Sequence, residues 1–339
     1  MAKDFIVAIE LGSSKITGIA GKKNPDGSIT VLSVAKEDSK ACMRKGVVYN
    51  IDKTAQALTN IINKLKGSLQ TDIARVYVGV GGQSLKGVKN VVVKDLPADS
   101  IVTQDIVNEL MDTNRNMKNN DYEVLDAITQ EYKVDMQDEL YPVGVQACHI
   151  EGNFLNLLWR KTFNRSLNKC FDNAGIPIAE VYVTPLAMAE EILTEAEKRT
   201  GCMLVDLGAD TTTVAIYTRD ILRHLFVLPL GSSNITKDLT TLKMEEREAE
   251  AMKLKYASAY TEVADIDDSM LWAIDNNRSV NSRLFIDVVE ARVLEIIANV
   301  WHLVPTEYAD ELLGGIILTG GGSNLKNIDN AFRRHTHID

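Results

Sequence analysis

Phe5-Ile-Val-Ala-Ile-Glu10-Leu-Gly-Ser-Ser-Lys15-Ile-Thr-Gly-Ile-Ala20 decides the fold of this chain, because the stretch occurs twice. Residues 202–216 run Cys-Met-Leu-Val-Asp206-Leu-Gly-Ala-Asp-Thr-Thr-Thr-Val-Ala-Ile. On one offset of 196 residues, Glu10 falls on Asp206, Leu11 on Leu207, Gly12 on Gly208 and Thr17 on Thr213. Each copy is an apolar run, a carboxylate, Leu-Gly, small residues and a second β-branched run, which reads as strand, tight turn, strand. A glycine at the turn lets backbone approach a ligand, and the residues after it offer N–H groups and hydroxyls to an anion. Two such hairpins facing each other would clamp a phosphate chain, with Glu10 and Asp206 holding a hydrated Mg²⁺ between them.

The 339 residues suffice for roughly two domains of ~150 each, and 45% apolar content supplies a sizeable core. A net charge of −10, from 37 basic and 47 acidic residues, argues against bulk nucleic-acid binding. Cys42, Cys148, Cys170 and Cys202 contain no C-x-x-C, so neither a disulfide framework nor a zinc site is expected, and the five histidines share no metal-ligand spacing. His335 and His337, at the chain end, are expected to be disordered. No apolar run approaches the ~20 residues of a membrane span; the closest, Ile296 to Val304, is broken by Asn299 and His302.

Along the chain, residues 4–36 read as three strands of a meander, turned at Gly12-Ser-Ser and at Asn24-Pro-Asp-Gly27. A helix capped by Asn50 or Asp52 follows, then a strand over 75–80 closed by Gly81-Gly82. Residues 83–158 form a small α+β module: a strand over 88–94, a helix over 103–117, a mobile polar edge over 114–121, and strands over 122–134 and 143–158. Helix resumes over 161–173 and strand over 179–183. Pro185 then sits at the first position of a helix running to about Arg199. The second half repeats the plan, with strands over 202–207, 211–217 and 221–228 and a helix start at Gly231-Ser-Ser-Asn234. A charged, partly helical region over 236–283 precedes a long helix over 281–304, stopped by Pro305. Gly315-Ile-Ile-Leu-Thr-Gly320-Gly-Gly is strand then turn, with Ser323 or Asn324 capping a last helix through Phe332.

This duplicated plan, with its Gly320-Gly321-Gly322 turn, resembles the actin-like ATPase superfamily. Glu10-Leu-Gly-Ser-Ser-Lys15 is similar to the first phosphate motif of the bacterial cell-division FtsA family. Arg44-Lys-Gly-Val-Val, Gln130-Glu-Tyr-Lys-Val-Asp135, Ala249-Glu-Ala-Met-Lys253, Glu290-Ala-Arg292 and residues 316–322 resemble further motifs of that family. The resemblance covers about residues 4–332. It implies an α/β, actin-like (ribonuclease H-like) fold of duplicated βββαβα halves. Subdomain 1A would comprise 1–82 and 159–200, and the insertion 1C 83–158. Subdomain 2A would comprise 201–235 and 305–339, and the smaller insertion 2B 236–304.

The resemblance also implies ATP and Mg²⁺ as cofactors. Gly12, Ser13, Ser14 and Lys15 would meet the phosphates from one side, and Gly208, Ala209, Asp210 and Thr211 from the other, with Gly231 and Asn234 bordering them. Gly320, Gly321, Gly322 and Ser323 would lie against the nucleotide, the following helix N-terminus adding donors. Glu250 and Lys253, three apart on one helix face, would meet the ribose and adenine; a solvated ion pair explains them nearly as well. Relatives carry a Glu or Gln near the position of Thr184 to orient the attacking water. No such group stands here, so no catalytic residue is assigned and hydrolysis is expected to be slow or absent.

A scaffold of this family would polymerise into actin-like filaments. It would dock the C-terminal peptide of the tubulin-like protein FtsZ on about 236–300 and other division proteins, and the next protomer, on 83–158. It would work in the cytoplasm, at the inner face of the membrane and the division septum. FtsA chains continue into a membrane-binding amphipathic helix; this sequence stops at Asp339, so as given it is expected to carry no anchor of its own. The alternatives on the same fold are a small-molecule kinase and a pilus-assembly ATP-binding module.

Overall fold

A computed structural model describes residues 5–338; residue 4, where the first strand is expected to begin, lies outside the described residues. β1 (Phe5–Leu11), β2 (Lys15–Lys23) and β3 (Ile29–Asp38) form the meander. A small hairpin, β4 (Met43–Arg44) and β5 (Val47–Val48), leads into α1 (Ile51–Leu69), and β6 (Val76–Val80) returns parallel to β1. Asn50 caps α1, its side chain accepting the Lys53 N–H at 2.9 Å. The helix buries Leu58, Ile61, Ile62 and Leu65 on the sheet. It can sit that close because Gly18 lies beneath it: a Cβ there would stand 2.4 Å from Ile61 Cγ2.

The insertion consists of β7 (Leu85–Ile101), α2 (Gln104–Arg115), β8 (Tyr122–Val134), β9 (Gln137–Glu139) and β10 (Gln146–Arg160), paired in the order β7-β10-β8-β9. α2 covers one face, closing a separate core of Leu110, Tyr132, Ile150 and Phe154. The chain then returns through α3 (Lys161–Ala174) to β11 (Ile178–Val183), completing a five-stranded sheet ordered β11-β6-β1-β2-β3.

After α4 (Thr184–Ile192) and α5 (Glu195–Thr200), β12 (Cys202–Leu207), β13 (Thr212–Thr218) and β14 (Ile221–Leu228) repeat the meander. α6 (Ser232–Leu239), α7 (Glu246–Tyr256), the hairpin β15 (Leu271–Ala273) and β16 (Ser279–Asn281), α8 (Ser282–His302), α9 (Thr306–Ala309), β17 (Ile316–Thr319) and α10 (Ile328–Thr336) complete the described chain. The second sheet runs β14-β13-β12-β17, with β17 parallel to β12 as β6 is to β1. α8 buries Phe285, Val289, Val293, Ile297 and Val300, and its Arg292 holds Asp238 of α6 through Nε at 2.5 Å and Nη2 at 3.1 Å. Trp272 stacks on Tyr256 at 4.5 Å and meets Phe285 edge-on at 5.3 Å, so it fixes the β15–β16 hairpin to α7 and α8.

Several local expectations are corrected. The helix expected to reach Arg199 breaks at Leu193, because Thr194 and Glu197 form a capping box that starts α5 afresh. Thr184, not Pro185, takes the first helical position of α4. Asn114 is not on a mobile edge: it is fully buried, accepts from Asn90 at 2.8 Å and donates to Asn156 at 2.7 Å. The rest of that segment is tied down as well, by Lys161 Nζ donating to the Asn119 carbonyl at 2.7 Å. The 88–94 strand extends to all of β7 because β10 pairs along its length. The last helix starts at Ile328, after a 3-10 turn over Gly321–Asn324, and carries His335 in its last turn; His337 caps it at φ 58°.

The insertion is fastened to the second half as well as the first. Gln130 of β8 donates to the Leu222 carbonyl at 2.9 Å, and Arg223 of β14 pairs with Glu131 at 2.6 Å. Gly87 of β7 packs on β14, where a Cβ would lie 2.8 Å from the Leu225 carbonyl oxygen. Arg223 is buried, so Arg223→Ala leaves Gln130 and Glu131 short of a partner. A loss of about 2 kcal/mol is expected in chemical denaturation, and Arg223→Lys should recover only part of it.

Candidate functional site: a cleft between duplicated hairpins

The two hairpins are alike in register. Glu10 pairs with Thr17 across β1–β2, and Asp206 with Thr213 across β12–β13. The turns close the same way: Gly12 N–H donates to the Lys15 carbonyl at 3.1 Å, and Gly208 N–H to the Thr211 carbonyl at 2.9 Å. A Cβ on either glycine would lie 2.7 Å from that carbonyl oxygen, so the turn demands glycine in both copies. Ser14 and Lys15 are exposed at the first tip, with Ser13 half-buried.

The carboxylates face one another closely enough to interact. Burial pushes the Glu10 carboxyl up to about 7, with the Asp206 charge adding and Lys15 partly offsetting. Burial raises Asp206 to about 6. Glu10 stays within reach of solvent, so this is the desolvation of a crowded cleft floor rather than of a core. Among the described residues, no group of three His, Cys, Asp or Glu side chains could enclose a metal. Two facing carboxylates suit a Mg²⁺ that keeps most of its water.

The strands beside the hairpins end alike. Gly79 of β6 lies opposite Glu10, and Thr319 of β17 opposite Asp206. Gly82–Ser84 and Gly321–Asn324 then make matching 3-10 turns. Of the three glycines after β17, only Gly320 has positive φ, at 83°, and a Cβ on it would stand 2.3 Å from Asp206 Oδ1. Gly322 abuts Leu207, with its Cβ position 2.9 Å from the Leu207 carbonyl oxygen, whereas Gly321 faces open space. Ser323 spends its N–H and hydroxyl on the Gly320 carbonyl, at 3.2 and 2.7 Å. It is therefore a turn-former here, and no helix N-terminus adjoins it.

Gly231 stands against the second hairpin, where a Cβ would lie 2.4 Å from the Ala209 carbonyl oxygen. The first N–H groups of α6 are engaged there too: Ser232 donates to Gly208 at 2.9 Å and Ser233 to Ala209 at 2.8 Å. Asn234 turns inward to accept the Gly231 N–H at 3.0 Å. Glu250 and Lys253 are no solvated pair. Lys253 is buried, pairs with Glu250 at 2.8 Å, and donates to Thr236 Oγ1 at 2.8 Å and the Ser232 carbonyl at 3.3 Å. Burial works to raise the Glu250 pKa, but the bonds from Lys253 and Thr236 and the charges of Lys253 and Lys40 leave it lowered. This ion pair joins α7 to α6 at the cleft.

Comparison with known proteins gives the architecture its family. The family model for cell division protein FtsA matches residues 203–339, and that for the SHS2 domain inserted in FtsA matches residues 82–158. FtsA of Porphyromonas gingivalis is 32% identical over 333 residues, covering 96% of this chain and 70% of the relative. The chain belongs to the FtsA family. FtsA of Neisseria meningitidis is 28% identical over 332 residues, covering 96% of this chain and 80% of its own. The fold is that of the actin-like ATPases. The PilM–PilN type IV pilus biogenesis complex aligns at a TM-score of 0.67 with 15% identity, over 98% of this chain and 86% of its own. MreB5 of Spiroplasma citri bound to ADP aligns at 0.57 with 11% identity, and the MamK double helical filament at 0.53 with 10%, each over 98% of this chain and 90% of its own. The part matched by the model of the SHS2 domain inserted in FtsA is the β7–β10 sheet with α2, in place between β6 and α3.

The sequence marked Arg44-Lys-Gly-Val-Val as a family-like stretch but gave it no place in the site. The β4–β5 hairpin reaches between the β1–β2 and β12–β13 hairpins: Gly46 N–H donates to Ser13 Oγ at 2.7 Å and Lys45 N–H to Asp210 Oδ2 at 3.2 Å. Its signal was Lys45-Gly46 between Met43-Arg44 and Val47-Val48, a two-residue hairpin turn without the usual Asn or Asp.

Proposed function

We propose that this FtsA-family chain is an ATP-binding scaffold of cell division. Four subdomains, divided as the sequence suggests, would surround the cleft. The observation that supports it most is the pair of hairpins in identical register, with Glu10 and Asp206 on facing sides. Gly12, Ser13, Ser14 and Lys15 would take the phosphates from one half, and Gly208, Ala209, Asp210 and Thr211, largely through their N–H groups, from the other. Glu10 and Asp206 would hold Mg²⁺ through water. Gly231 and Gly320–Gly322 would let backbone approach the nucleotide, and Glu250 and Lys253 would bind its ribose and base. Bound Mg²⁺ would neutralise phosphate charge. Isothermal calorimetry with ATP and Mg²⁺ tests this reading; absence of saturable binding defeats it.

The residue at the expected water-orienting position favours a switch over a hydrolase. The Thr184 hydroxyl is buried without a hydrogen-bond partner and borders Gly79, where a Cβ would lie 2.8 Å from its Oγ1 and 4.0 Å from Glu10 Cγ. It is neutral and short, so it can position a water but cannot take its proton at neutral pH. Steady-state turnover well below about one per second is expected, and Thr184→Glu is expected to raise it about tenfold or more. A phosphate-release assay of both proteins checks this.

As a member of the family, the chain would assemble into actin-like filaments, bind the FtsZ C-terminal peptide on about 236–300, and recruit later division proteins through 83–158. The membrane face at the septum is where such a scaffold would act. Co-sedimentation with an FtsZ tail peptide, and electron microscopy with ATP, test the two associations.

A further inference from the structure

The β4–β5 hairpin is built for an anion at its tip. Lys45 and Gly46, its two central residues, have φ of 49° and 74°, the paired positive values of a type I′ turn. Their consecutive N–H groups diverge, one to each half of the cleft: Gly46 to Ser13, Lys45 to the Asp210 carboxylate. A backbone N–H already holding a carboxylate is a donor arranged for negative charge. Asp210 itself belongs to the second phosphate hairpin.

The hairpin is also locked to the start of the insertion. A Cβ on Gly46 would stand 2.5 Å from Gly82 Cα, and one on Gly82 2.5 Å from Gly46 Cα. Gln83 N–H donates to the Lys45 carbonyl at 2.9 Å. Only glycine fits at either contact, and a shift of the tip must pass to Gly82–Gln83, the root of β7.

We propose that this hairpin distinguishes ATP from ADP, with Asp210 standing in for the terminal phosphate. The proposal rests on the ATP-binding reading above. Lys45 N–H leaves Asp210 for the terminal phosphate when ATP enters, because the phosphate carries more charge than a carboxylate. With ADP, Lys45 keeps its bond to Asp210. The insertion is thereby told which nucleotide is bound through the Gly46–Gly82 contact.

The test is calorimetry with ADP and with a non-hydrolysable ATP analogue on the parent chain and Asp210→Ala. Trypsin cleavage after Arg44 and Lys45 is followed in parallel. Asp210→Ala removes a competitor and a like charge, so the ratio of ATP-analogue to ADP affinity should rise about fivefold or more, the scale of one close like-charge contact in a wet cleft. In the parent, cleavage at the hairpin should be slower with the analogue than with ADP. A ratio within about twofold of the parent's, or below it, overturns the proposal, as does equal cleavage. Asp210→Asn keeps the side-chain shape and carries the same test if the alanine variant does not fold. A parent that binds neither nucleotide defeats the ATP reading itself; a parent that binds both with an unmoved ratio defeats this inference alone.

Discussion

Gly320→Ala is expected to weaken ATP binding by about a hundredfold or more and to lower stability by about 2–4 kcal/mol. Two effects act together. At φ 83° an L side chain is strained. The added Cβ would also lie 2.3 Å from Asp206 Oδ1 and 2.7 Å from the Leu207 carbonyl oxygen, so β17 must move off β12 and the Asp206 carboxylate must turn. Gly321→Ala is the matched control. Its Cβ meets open space, so stability should change by less than about 0.5 kcal/mol. Its affinity should still fall, because that open space is where the nucleotide would lie. Thermal melts and calorimetry on both variants separate damage to the fold from exclusion of the ligand. A Gly320→Ala protein that binds ATP normally would contradict the cleft as drawn.

The second large effect is on pH. Glu10, raised to about 7, and Asp206, raised to about 6, titrate as a pair. Both folded-state values lie above the ordinary carboxylate range, so the folded protein binds protons more tightly than the unfolded chain. The stability this contributes is complete below about pH 4 and is lost as pH rises through about 6 to 7. Melting temperature without nucleotide should therefore decline between pH 5 and about 8 from this pair. In the proposed site Mg²⁺ would need both groups ionised, so the affinity for Mg²⁺ and ATP should move oppositely, rising on the order of tenfold per pH unit across about 5.5 to 7. Calorimetry near pH 6.5 in buffers of different ionisation enthalpy should show proton release approaching about one per site. Glu10→Gln with Asp206→Asn should abolish both trends. A pH-independent affinity over this range would remove these carboxylates from the metal site.

Much of the fold was legible because its signals are local. The two hairpins announce themselves by an apolar run, a carboxylate and a glycine at one spacing, and the register then follows from the turn. α1 and α8 carry their caps, Asn50 and Asn281, beside a helical apolar stripe. Periodicity failed where a cap interrupts it without changing it: residues 184–199 stay helical in pattern although Thr194 restarts the helix. It failed again at Asn114, whose polarity suggested an edge but whose amide is matched inside by Asn90 and Asn156.

The sequence by itself determined the duplication, the order of the strands and the residue types of the two glycine-turned hairpins. These depend on neighbours within a few residues. Only the tertiary structure decided how those pieces make a site. It set Glu10 close enough to Asp206 to raise its pKa, drew Lys253 under α6, and fastened the insertion to β14 through Arg223. It also brought Lys45 to Asp210, 165 residues away. Each of these joins groups from distant parts of the chain, and their energies depend on burial and on charges brought together only by the fold. Local pattern carries no record of that: Glu10-Leu-Gly-Ser-Ser-Lys15 could be read as one side of a clamp, but not its burial beside Asp206 or its contact with the β4–β5 hairpin.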